Sequence, residues 1–276
     1  MKQCPYCATE LPDEAKFCFN CGKEQPAPDT LPMKYELELT KNIRPQIVQL
    51  FFEAFRRRIQ EEHNEKQHQR YVELLYEVGF RESVQLRADQ MATAIEEQEL
   101  NDFEIEHLLE ESFEGMMDYF IIHYAHELND IALPESILKY EALPLAQIDL
   151  YKMAMDYLNF EEEEETIYLD FLKMPPRKVR NASQSFLFAE PDERIFFICD
   201  QSILGSCKEG FAMTDQALYW RMPLQKAERV YYEKIENVAR EKRWITVNDM
   251  FFNVNPTLNL KMLKLLKKLK RLFRMA

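Results

Sequence analysis

Four cysteines near the amino terminus form two pairs with C-x-x-C spacing, Cys4 with Cys7 and Cys18 with Cys21. Two thiolates in one tight turn can bind a single metal ion at about 2.3 Å, and two such turns complete a tetrahedral shell of four sulfur atoms. Gly22 directly follows the second pair, where such a turn needs a residue that can adopt positive φ. The spacing therefore predicts a metal site whose ligands are these four cysteines.

The same spacing also occurs in disulfide pairs, in redox-active C-x-x-C motifs and in iron sites. A redox motif usually lies between a strand and a helix of a βαβ unit, and the sequence around Cys4 predicts no such unit. Disulfide bonds within each pair would leave too little core to hold so short a segment folded. Zinc is the preferred ion and iron the remaining alternative. Because sulfur fills all four positions, none is open for a substrate or a water, and the site is predicted to be structural.

The segment CPYCATELPDEAKFCFNCGKE resembles the short zinc ribbons of bacterial proteins. The matching positions are C-P-x-C, Leu11, Ala15, Phe17 and C-x-x-C-G. The resemblance covers the first tenth or so of the chain. It implies one structural zinc ion in a unit that is structural or docks to a partner, and it implies no catalytic chemistry.

The whole chain has 276 residues, enough for two ordinary domains besides the ribbon, and a formal net charge of −13. Thiolates bound to zinc make the charge still more negative, which disfavours general nucleic-acid binding. No signal peptide precedes Cys4, and no apolar run approaches the roughly 20 residues of a membrane-spanning helix. These features predict a cytoplasmic protein of bacterial type.

The stretch after the ribbon contains Pro26, Pro28 and Pro32 and little apolar material, which predicts an extended linker. Beyond it, apolar residues recur at i, i+3 and i+4 as far as residue 172, the pattern of helices that pack through one face. The pattern predicts an all-α helical bundle, a body to which the linker tethers the ribbon.

Three details of this bundle follow from residue types. Pro45 is expected to open the first helix, because proline is tolerated in a first turn. The polar face of that helix is expected to carry Arg56, Arg57 and Arg58. Asp102 is expected to cap a later helix.

From residue 175 onward, short β-branched and aromatic runs predict strands, and Asp215 with Gln216 predicts a two-residue hairpin turn. The predicted strands are 195–199, 210–214, 217–221, 228–233, 244–247 and 251–254. Trp244 is expected on the core side of its strand, because tryptophan is usually largely buried. A helix over about 257–273 ends the chain.

The segments ERIFFICD, GSCKEGFAMTDQALYWR and VYYEKIENV, followed by the terminal helix, resemble bacterial pleckstrin-homology-like (PH-like) or GRAM-like domains. The resemblance covers about the last third of the chain and rests on strand order as much as on individual residues. It implies an antiparallel β-sandwich or barrel that is closed by the C-terminal helix.

The predicted fold class is therefore multidomain α+β. Its units are a zinc ribbon at 1–24, a proline-containing linker at 25–39, a helical domain at 40–174 and a PH-like β domain at 175–276. The last unit includes a basic amphipathic C-terminal helix.

The terminal helix combines an apolar stripe with seven cations and no acid. The stripe is Leu258, Met262, Leu265, Leu266, Leu269, Leu272 and Phe273, and the cations are Lys261, Lys264, Lys267, Lys268, Lys270, Arg271 and Arg274. The preferred expectation is that the stripe closes the sheet while the lysines face the acidic helical body. The alternative is that the helix lies on an anionic bilayer, where each cation contributes about 1 kcal/mol at low salt.

Two further sets of residues have side chains that can do chemistry. His123 and His126 with Glu127 could hold a metal, but ordinary helix-face residues are the preferred interpretation, because no further ligand is indicated. Cys199 and Cys207 are expected to be buried or turn thiols rather than nucleophiles, because no histidine follows them in the chain.

Two motifs remain. Gly205 and Gly210 give G-x-x-x-x-G, but Phe211 stands where a P-loop needs lysine, so nucleotide binding is not predicted there. The acidic run 161–165 could bind cations or a basic partner, and a solvated helix start or loop is preferred.

These features predict a non-catalytic zinc-binding adaptor or scaffold, which recruits a protein partner or a membrane surface through its ribbon and PH-like modules. If the surface is an anionic membrane, the C-terminal helix is the element predicted to bind it. The first alternative is a nucleic-acid-associated regulator that uses the ribbon or the basic helix, and the second is an enzyme housed in the helical domain.

Overall fold

The computed structural model describes residues 2–3, 9–11, 35–63 and 65–274. The prolines predicted to form the linker, and Cys4, Cys7, Cys18 and Cys21, lie outside the described residues. Two short strands of the amino-terminal segment are described, β1 (Lys2–Gln3) and β2 (Glu10–Leu11). They pair antiparallel with Lys2 opposite Leu11.

Four helices follow: α1 (Ile43–Glu62), α2 (His68–Glu77), α3 (Phe80–Gln98) and α4 (Asp102–His123). Pro45 lies in the first turn of α1, as expected. The expected cap of α4 is wrong by one residue, because Asn101 precedes Asp102 and caps the helix itself. The Asn101 side chain accepts a hydrogen bond from the Glu104 amide, and the Glu104 carboxylate accepts one from the Asn101 amide.

Phenylalanine rings fill the space between these helices, which confirms the helical periodicity of the sequence. Phe51 of α1 meets Phe113 of α4 edge to face at a centroid distance of 5.6 Å. One turn further along, Phe55 meets Phe120 at 5.5 Å. All four rings are buried, and edge-to-face pairs stabilise beyond their buried area by about 0.5–1.5 kcal/mol.

The chain after α4 is built mainly from short 3₁₀ helices. Pro134 and Pro144 directly precede two of them, Glu135–Tyr140 and Leu145–Gln147. The helix α5 (Leu150–Leu158) follows. Single 3₁₀ turns also occur at Glu65–Gln67, His126–Leu128, Phe160–Glu162 and Tyr232–Lys234.

Five antiparallel strands form one sheet in the order β3-β4-β5-β6-β7. They are β3 (Thr166–Tyr168), β4 (Ile195–Asp200), β5 (Gly210–Thr214), β6 (Ala217–Arg221) and β7 (Glu228–Tyr231). The sequence predicted the last four of these and the hairpin turn between β5 and β6. It did not predict β3, which lies before residue 175 and pairs with β4. The predicted boundary after residue 174 therefore does not separate helices from strands.

A second antiparallel sheet has the order β10-β9-β8. Its strands are β8 (Val238–Glu241), β9 (Trp244–Val247) and β10 (Met250–Phe252). The expectation for Trp244 is wrong: Ile245 and Val247 are buried, and Trp244 on the opposite face is half-buried. Trp220 of β6 is the buried tryptophan, and its indole N–H donates to the Phe251 carbonyl at 2.9 Å.

Two helices pack on these sheets. α6 (Pro176–Ser185), which the sequence did not predict, covers the face of the five-stranded sheet that carries Ile198 and Tyr219. α7 (Pro256–Arg274) begins one residue before the expected start, and its buried leucines belong to an apolar core that continues from α1 to the three-stranded sheet. No helix among the described residues is long and apolar enough to span a membrane.

Candidate functional site

The cations of α7 point into the protein. Lys264, Lys268 and Arg271 are buried, although such residues are almost never fully buried unless they are paired. Their partners lie on α1, on α4 and directly after the 3₁₀ helix Glu135–Tyr140. We call this set the α7 charge cluster, and its members are Arg58, Glu62, Glu111, Glu114, Asp118, Glu141, Lys264, Lys267, Lys268 and Arg271.

Arg58 of α1 joins three acids of the cluster. Its Nε lies 2.7 Å from Glu62 Oε2, its Nη1 lies 2.5 Å from Glu114 Oε2, and its Nη2 pairs with Asp118. Because each acid forms an ion pair with a different nitrogen of one planar guanidinium, the three carboxylates are fixed relative to α1.

The sequence placed Arg58 on the solvent face of α1, together with Arg56 and Arg57, and this is wrong for Arg58. Arg56 and Arg57 are exposed, whereas Arg58 is buried. Arg58 follows Ala54 by four residues and Phe55 by three, so it shares the face of these buried residues. An arginine is usually exposed, but the position of Arg58 on the helix buries its side chain.

Two lysines of α7 complete the pairing with α4. Lys264 Nζ lies 2.9 Å from Asp118 Oδ1 and 3.2 Å from Glu114 Oε2. One turn further along, Lys268 Nζ lies 2.7 Å from Glu111 Oε2. The acids of α4 are therefore neutralised from two sides, by α1 and by α7.

The ends of α7 are held in the same way. Arg271 Nε lies 2.6 Å from Glu111, Arg274 Nη2 lies 3.0 Å from Glu106, and Lys261 Nζ lies 2.7 Å from Glu163. The preferred expectation, that the lysines face the acidic helical body, is confirmed for Lys264, Lys267 and Lys268, whereas Lys270 donates to the Glu236 carbonyl. To bind an anionic bilayer or a nucleic acid, α7 would have to expose its cations. The side chains paired in this way form no exposed basic surface.

The cations of the α7 charge cluster lower the pKa values of Glu62 and Glu114. Burial opposes the ionisation of Glu62, but the charges of Arg58, Lys267 and Lys264 outweigh it and hold its pKa well below the usual value. Burial likewise opposes ionisation of Glu114, and Lys264, Arg58 and Arg271 lower its pKa. Both carboxylates therefore stay charged at neutral pH.

Glu141 differs from the other acids. Both of its carboxylate oxygens are buried and have no hydrogen-bond partner among the described residues, and Lys268 Nζ and Arg271 Nη2 lie 4.0 Å from one of them. Burial and the nearby charge of Asp118 raise the pKa of Glu141 to about 7, although Arg271 and Lys268 oppose this. Glu141 therefore changes charge near neutral pH.

The cluster contains five basic and five acidic side chains, so its charges balance when Glu141 is ionised. A buried pair stabilises little compared with apolar residues of the same size, because desolvation offsets the attraction. Removing one partner is costly, since it leaves an uncompensated buried charge. The α7 charge cluster therefore fixes how α7 lies against α1 and α4.

The histidine candidates do not meet in a metal site. The His123 ring packs on the Tyr119 ring at a centroid distance of 4.4 Å, and His126 and Glu127 lie in the short 3₁₀ turn after α4. In the part of the chain that the structure describes, no three histidine, cysteine or acidic side chains are placed to hold a metal ion.

The thiols Cys199 and Cys207 are both buried, as expected. Burial raises the pKa of the Cys207 thiol to about 12, and burial with nearby acids raises the pKa of Cys199.

The structure explains why residue 210 is a glycine. Its φ is +142°, and a Cβ there would lie 2.0 Å from the Cys199 carbonyl oxygen. The close approach of β4 and β5 thus accounts for the second glycine of G-x-x-x-x-G.

Part of the acidic run 161–165 is bound within the protein. Glu163 pairs with Lys261, and the Asn255 amide donates to Glu163 at 3.1 Å and to Glu165 at 2.6 Å. Glu161, Glu162 and Glu164 are exposed. The run therefore anchors the start of α7 and leaves three acids in solvent, close to the preferred interpretation.

The sequence did not predict the exposed aliphatic side chains at one end of the five-stranded sheet. In the loop between β4 and β5, Ile203 is 93% exposed and Leu204 92%, and in the loop between β6 and β7, Leu224 is fully exposed. Asp200, Gly210 and Arg221 are aligned across β4, β5 and β6, so both loops leave from the same end of the sheet. We call Ile203, Leu204 and Leu224 the sheet tip.

Polar groups hold the first loop in place beneath its aliphatic residues. The Asp200 carboxylate accepts from the amides of Ser202 and Cys207, at 3.0 and 3.1 Å. The Ser202 hydroxyl accepts from the amides of Lys208 and Glu209, at 2.9 and 3.1 Å. The polar side chains therefore face inward, and the two aliphatic ones point to solvent.

Leu224 is unusual in a second respect. Its φ is +62°, in the left-handed region that L-residues rarely adopt, and the Gln225 amide donates to the Met222 carbonyl at 3.0 Å to close the turn. A fully exposed aliphatic residue in this conformation makes the sheet tip a candidate interaction surface.

Cations surround the sheet tip. Lys208 and Lys226 are exposed in its two loops, and α6 exposes Arg177 and Arg180. α6 is joined to the first loop, because the Asn181 amide donates to the Ser206 carbonyl at 2.7 Å. The sequence signal that could have revealed this site is an adjacent Ile-Leu pair inside a turn-type stretch, Q-S-I-L-G-S.

Comparison with known proteins identifies only the amino-terminal segment. The chain matches the family model of the zinc-ribbon domain over residues 3–25, and this domain implies a bound zinc ion. The match contains all four predicted ligands. No curated protein and no solved structure matches the chain, so nothing found there identifies the C-terminal part.

Proposed function

We propose that this protein is a non-catalytic zinc-binding adaptor, which recruits a protein partner through its ribbon and docks on an anionic membrane surface through the sheet tip. The observation that carries the membrane part is the tip: three aliphatic side chains, on loops at one end of a sheet, are exposed to solvent beside exposed cations. The protein is accordingly a cytoplasmic one that binds the membrane peripherally.

The order of strands supports this proposal. A meander of four antiparallel strands, β4 to β7, is followed by a meander of three, β8 to β10, and by α7. Antiparallel strands followed by a C-terminal helix are what the resemblance to PH-like domains implies. The tip lies on the loops that follow β4 and β6, and none of its three residues belongs to α7, so membrane contact through the tip does not require α7 to leave its buried position.

The energetics fit reversible attachment. Burying one aliphatic side chain contributes about 1.5–3 kcal/mol, and a cation near an anionic surface contributes about 1 kcal/mol at low salt. Three aliphatic residues and a few cations therefore give binding that depends on salt and on anionic lipid. A second contact, such as a partner bound to the ribbon, would decide where the protein resides.

Vesicle sedimentation tests the membrane part. The full chain is expected to pellet with vesicles that contain phosphatidylserine and to stay in solution with vesicles of phosphatidylcholine alone. A variant with both Ile203→Ser and Leu204→Ser should lose about tenfold or more in affinity. Leu39→Ser, at an exposed leucine next to α1, is the matched control and should pellet like the parent. Equal pelleting of the tip variant and the parent would reject the proposal.

The zinc part has its own test. The purified chain is expected to hold one zinc ion, and Cys18→Ser should release it, because a three-sulfur site loses the closed tetrahedral shell. The thermal melting transition of the helices should remain, since the described helices draw their core from α1 to α7. Loss of that transition in Cys18→Ser would show that the ribbon is part of the same folding unit.

A further inference from the structure

Two adjoining grooves run along α4 on the side away from α1. The first, of about 720 Å³, lies between α3 and α4, and the second, of about 770 Å³, lies between α4 and the segment 141–146. Leu108, Glu111, Glu141 and Ala142 line both. The two therefore form one elongated depression, which we call the α4 trough.

The length of the trough suits a helix. Along α4 its lining residues extend from Glu104 to Tyr119, sixteen residues that span about 22 Å at 1.5 Å per residue. Its walls are helices and a 3₁₀ segment, so it offers no strand edge to which an extended peptide could add. Its floor is low where Gly115 has no side chain, and a Cβ there would only touch Glu141, at 3.4 Å.

The walls are apolar and incompletely covered. Leu86 of α3 is 61% exposed, and Tyr119 and Tyr124 are also exposed. The two tyrosine rings and the Phe80 ring lie within 6.4 Å of one another, which forms an aromatic wall at one end. Adjacent exposed apolar side chains of this kind mark binding surfaces.

The charges of the trough indicate the sign of its ligand. Glu111 is neutralised by Lys268 and Arg271, and the Glu141 oxygens are buried. Arg87 is exposed; its Nη1 donates to Gln90 Oε1 at 3.2 Å, and it pairs with no carboxylate among the described residues. The charge that the first groove presents to a ligand is therefore positive.

We propose that the α4 trough binds an amphipathic helix of a partner protein, with its apolar face on the trough and an acidic residue paired with Arg87. Helix-in-groove recognition uses apolar residues at i, i+3, i+4 and i+7, which the distance along α4 accommodates. This inference rests on the proposed adaptor role and adds a second protein-binding face to it. The trough and the sheet tip lie on different elements, so their tests are independent.

The probe is a fluorescein-labelled helical peptide whose leucines recur at i, i+3, i+4 and i+7, with alanine, glutamine and glutamate elsewhere. A second peptide has lysine in place of glutamate. Fluorescence anisotropy with the full chain is expected to show the acidic peptide bound more tightly. Arg87→Gln should weaken the acidic peptide about two- to fivefold, the range of an exposed charge pair. Arg87→Glu should reverse the preference between the two peptides.

Arg81→Gln is the matched control, because Arg81 lies on the same helix with its guanidinium over the Tyr76 ring, outside the trough. Ser112→Trp fills the floor and should weaken both peptides more than tenfold, while circular dichroism shows an unchanged fold. Binding that is equal for parent and Ser112→Trp, or for both peptides, would overturn the inference. So would the absence of binding at about 100 μM peptide, since a specific contact of this size exceeds that affinity.

Discussion

The α7 charge cluster and the sheet tip are opposites. In the first, lysines and arginines are buried between helices, and in the second, isoleucine and leucine are exposed at the end of a sheet. Each reverses the usual distribution of residue types. The difference between them is pairing: every cation of the cluster meets a carboxylate, whereas the tip residues contact no core.

Pairing separates a structural role from an interaction role. Breaking the cluster should unfold the protein, because a lone buried ion is costly. Polar substitution at the tip should leave folding intact and change only what the protein binds. Substitutions in the cluster should therefore change the free energy of unfolding most, and substitutions at the tip least.

Arg58→Ala should lower the free energy of unfolding by about 3–5 kcal/mol, because Glu62, Glu114 and Asp118 lose a shared partner in a buried site. Arg57→Ala, at the exposed neighbour, should change it by less than about 0.5 kcal/mol. Urea unfolding followed by circular dichroism measures both. Similar losses in the two variants would mean that burial of the cluster does not matter.

Acidification should unfold the protein through the same cluster. The pKa values of Glu62, Glu111 and Glu114 are lowered in the folded state, so the folded state binds fewer protons than the unfolded state. Their contribution is complete above the unfolded value of about 4.5 and is lost as the pH falls below it. Thermal melting between pH 5 and pH 2.5 should show a steep decline. A melting temperature that stays constant over that pH range would contradict the ion pairing of these carboxylates.

Glu141→Gln should raise the free energy of unfolding, whereas Arg58→Ala should lower it. The folded-state pKa of Glu141 is raised to about 7, so the folded protein holds a proton that the unfolded chain releases near pH 4.5. This group therefore destabilises the fold progressively as the pH rises from about 4.5 to 7. The substitution should stabilise the protein by roughly 1–3 kcal/mol at pH 8 and by little at pH 4.5. Glu135→Gln, at an exposed acid just before it in the chain, should have no such pH dependence.

The double change Ile203→Ser with Leu204→Ser should alter the free energy of unfolding by less than about 0.5 kcal/mol, the usual range for exposed positions. Its effect should appear in vesicle binding alone. A loss of more than about 2 kcal/mol would place these side chains against the fold and remove the contrast with the α7 charge cluster.

The sequence predicted the elements whose patterns are local. Alternation located β5, β6 and β9, and Asp215 with Gln216 marked a hairpin. It missed β3, because a strand of three residues after an acidic run carries almost no periodicity. Trp244 was misplaced because residue type was used where the alternation allowed either face.

The candidate sites could be predicted only in part. The cysteine spacing was sufficient for the ribbon, because the four ligands lie within eighteen residues of sequence. The inward orientation of the α7 lysines was expected from the acidic composition of the helices, but the burial of Arg58 was not. The sheet tip and the α4 trough depend on which side chains are left uncovered after packing, and no local pattern reports that.

The ion pairs of α7 can form only late in the synthesis of the chain, because α7 is made last. Lys264 follows its partner Glu114 by 150 residues, and Arg271 follows Glu111 by 160. At translation rates of about 5–20 residues per second, α4 waits roughly 8–30 s for the cations that neutralise it. Throughout that interval three carboxylates, of Glu62, Glu114 and Asp118, face Arg58 alone. We expect water to remain between α1 and α4 until α7 has been made, because three carboxylates with a single cation are costly to desolvate.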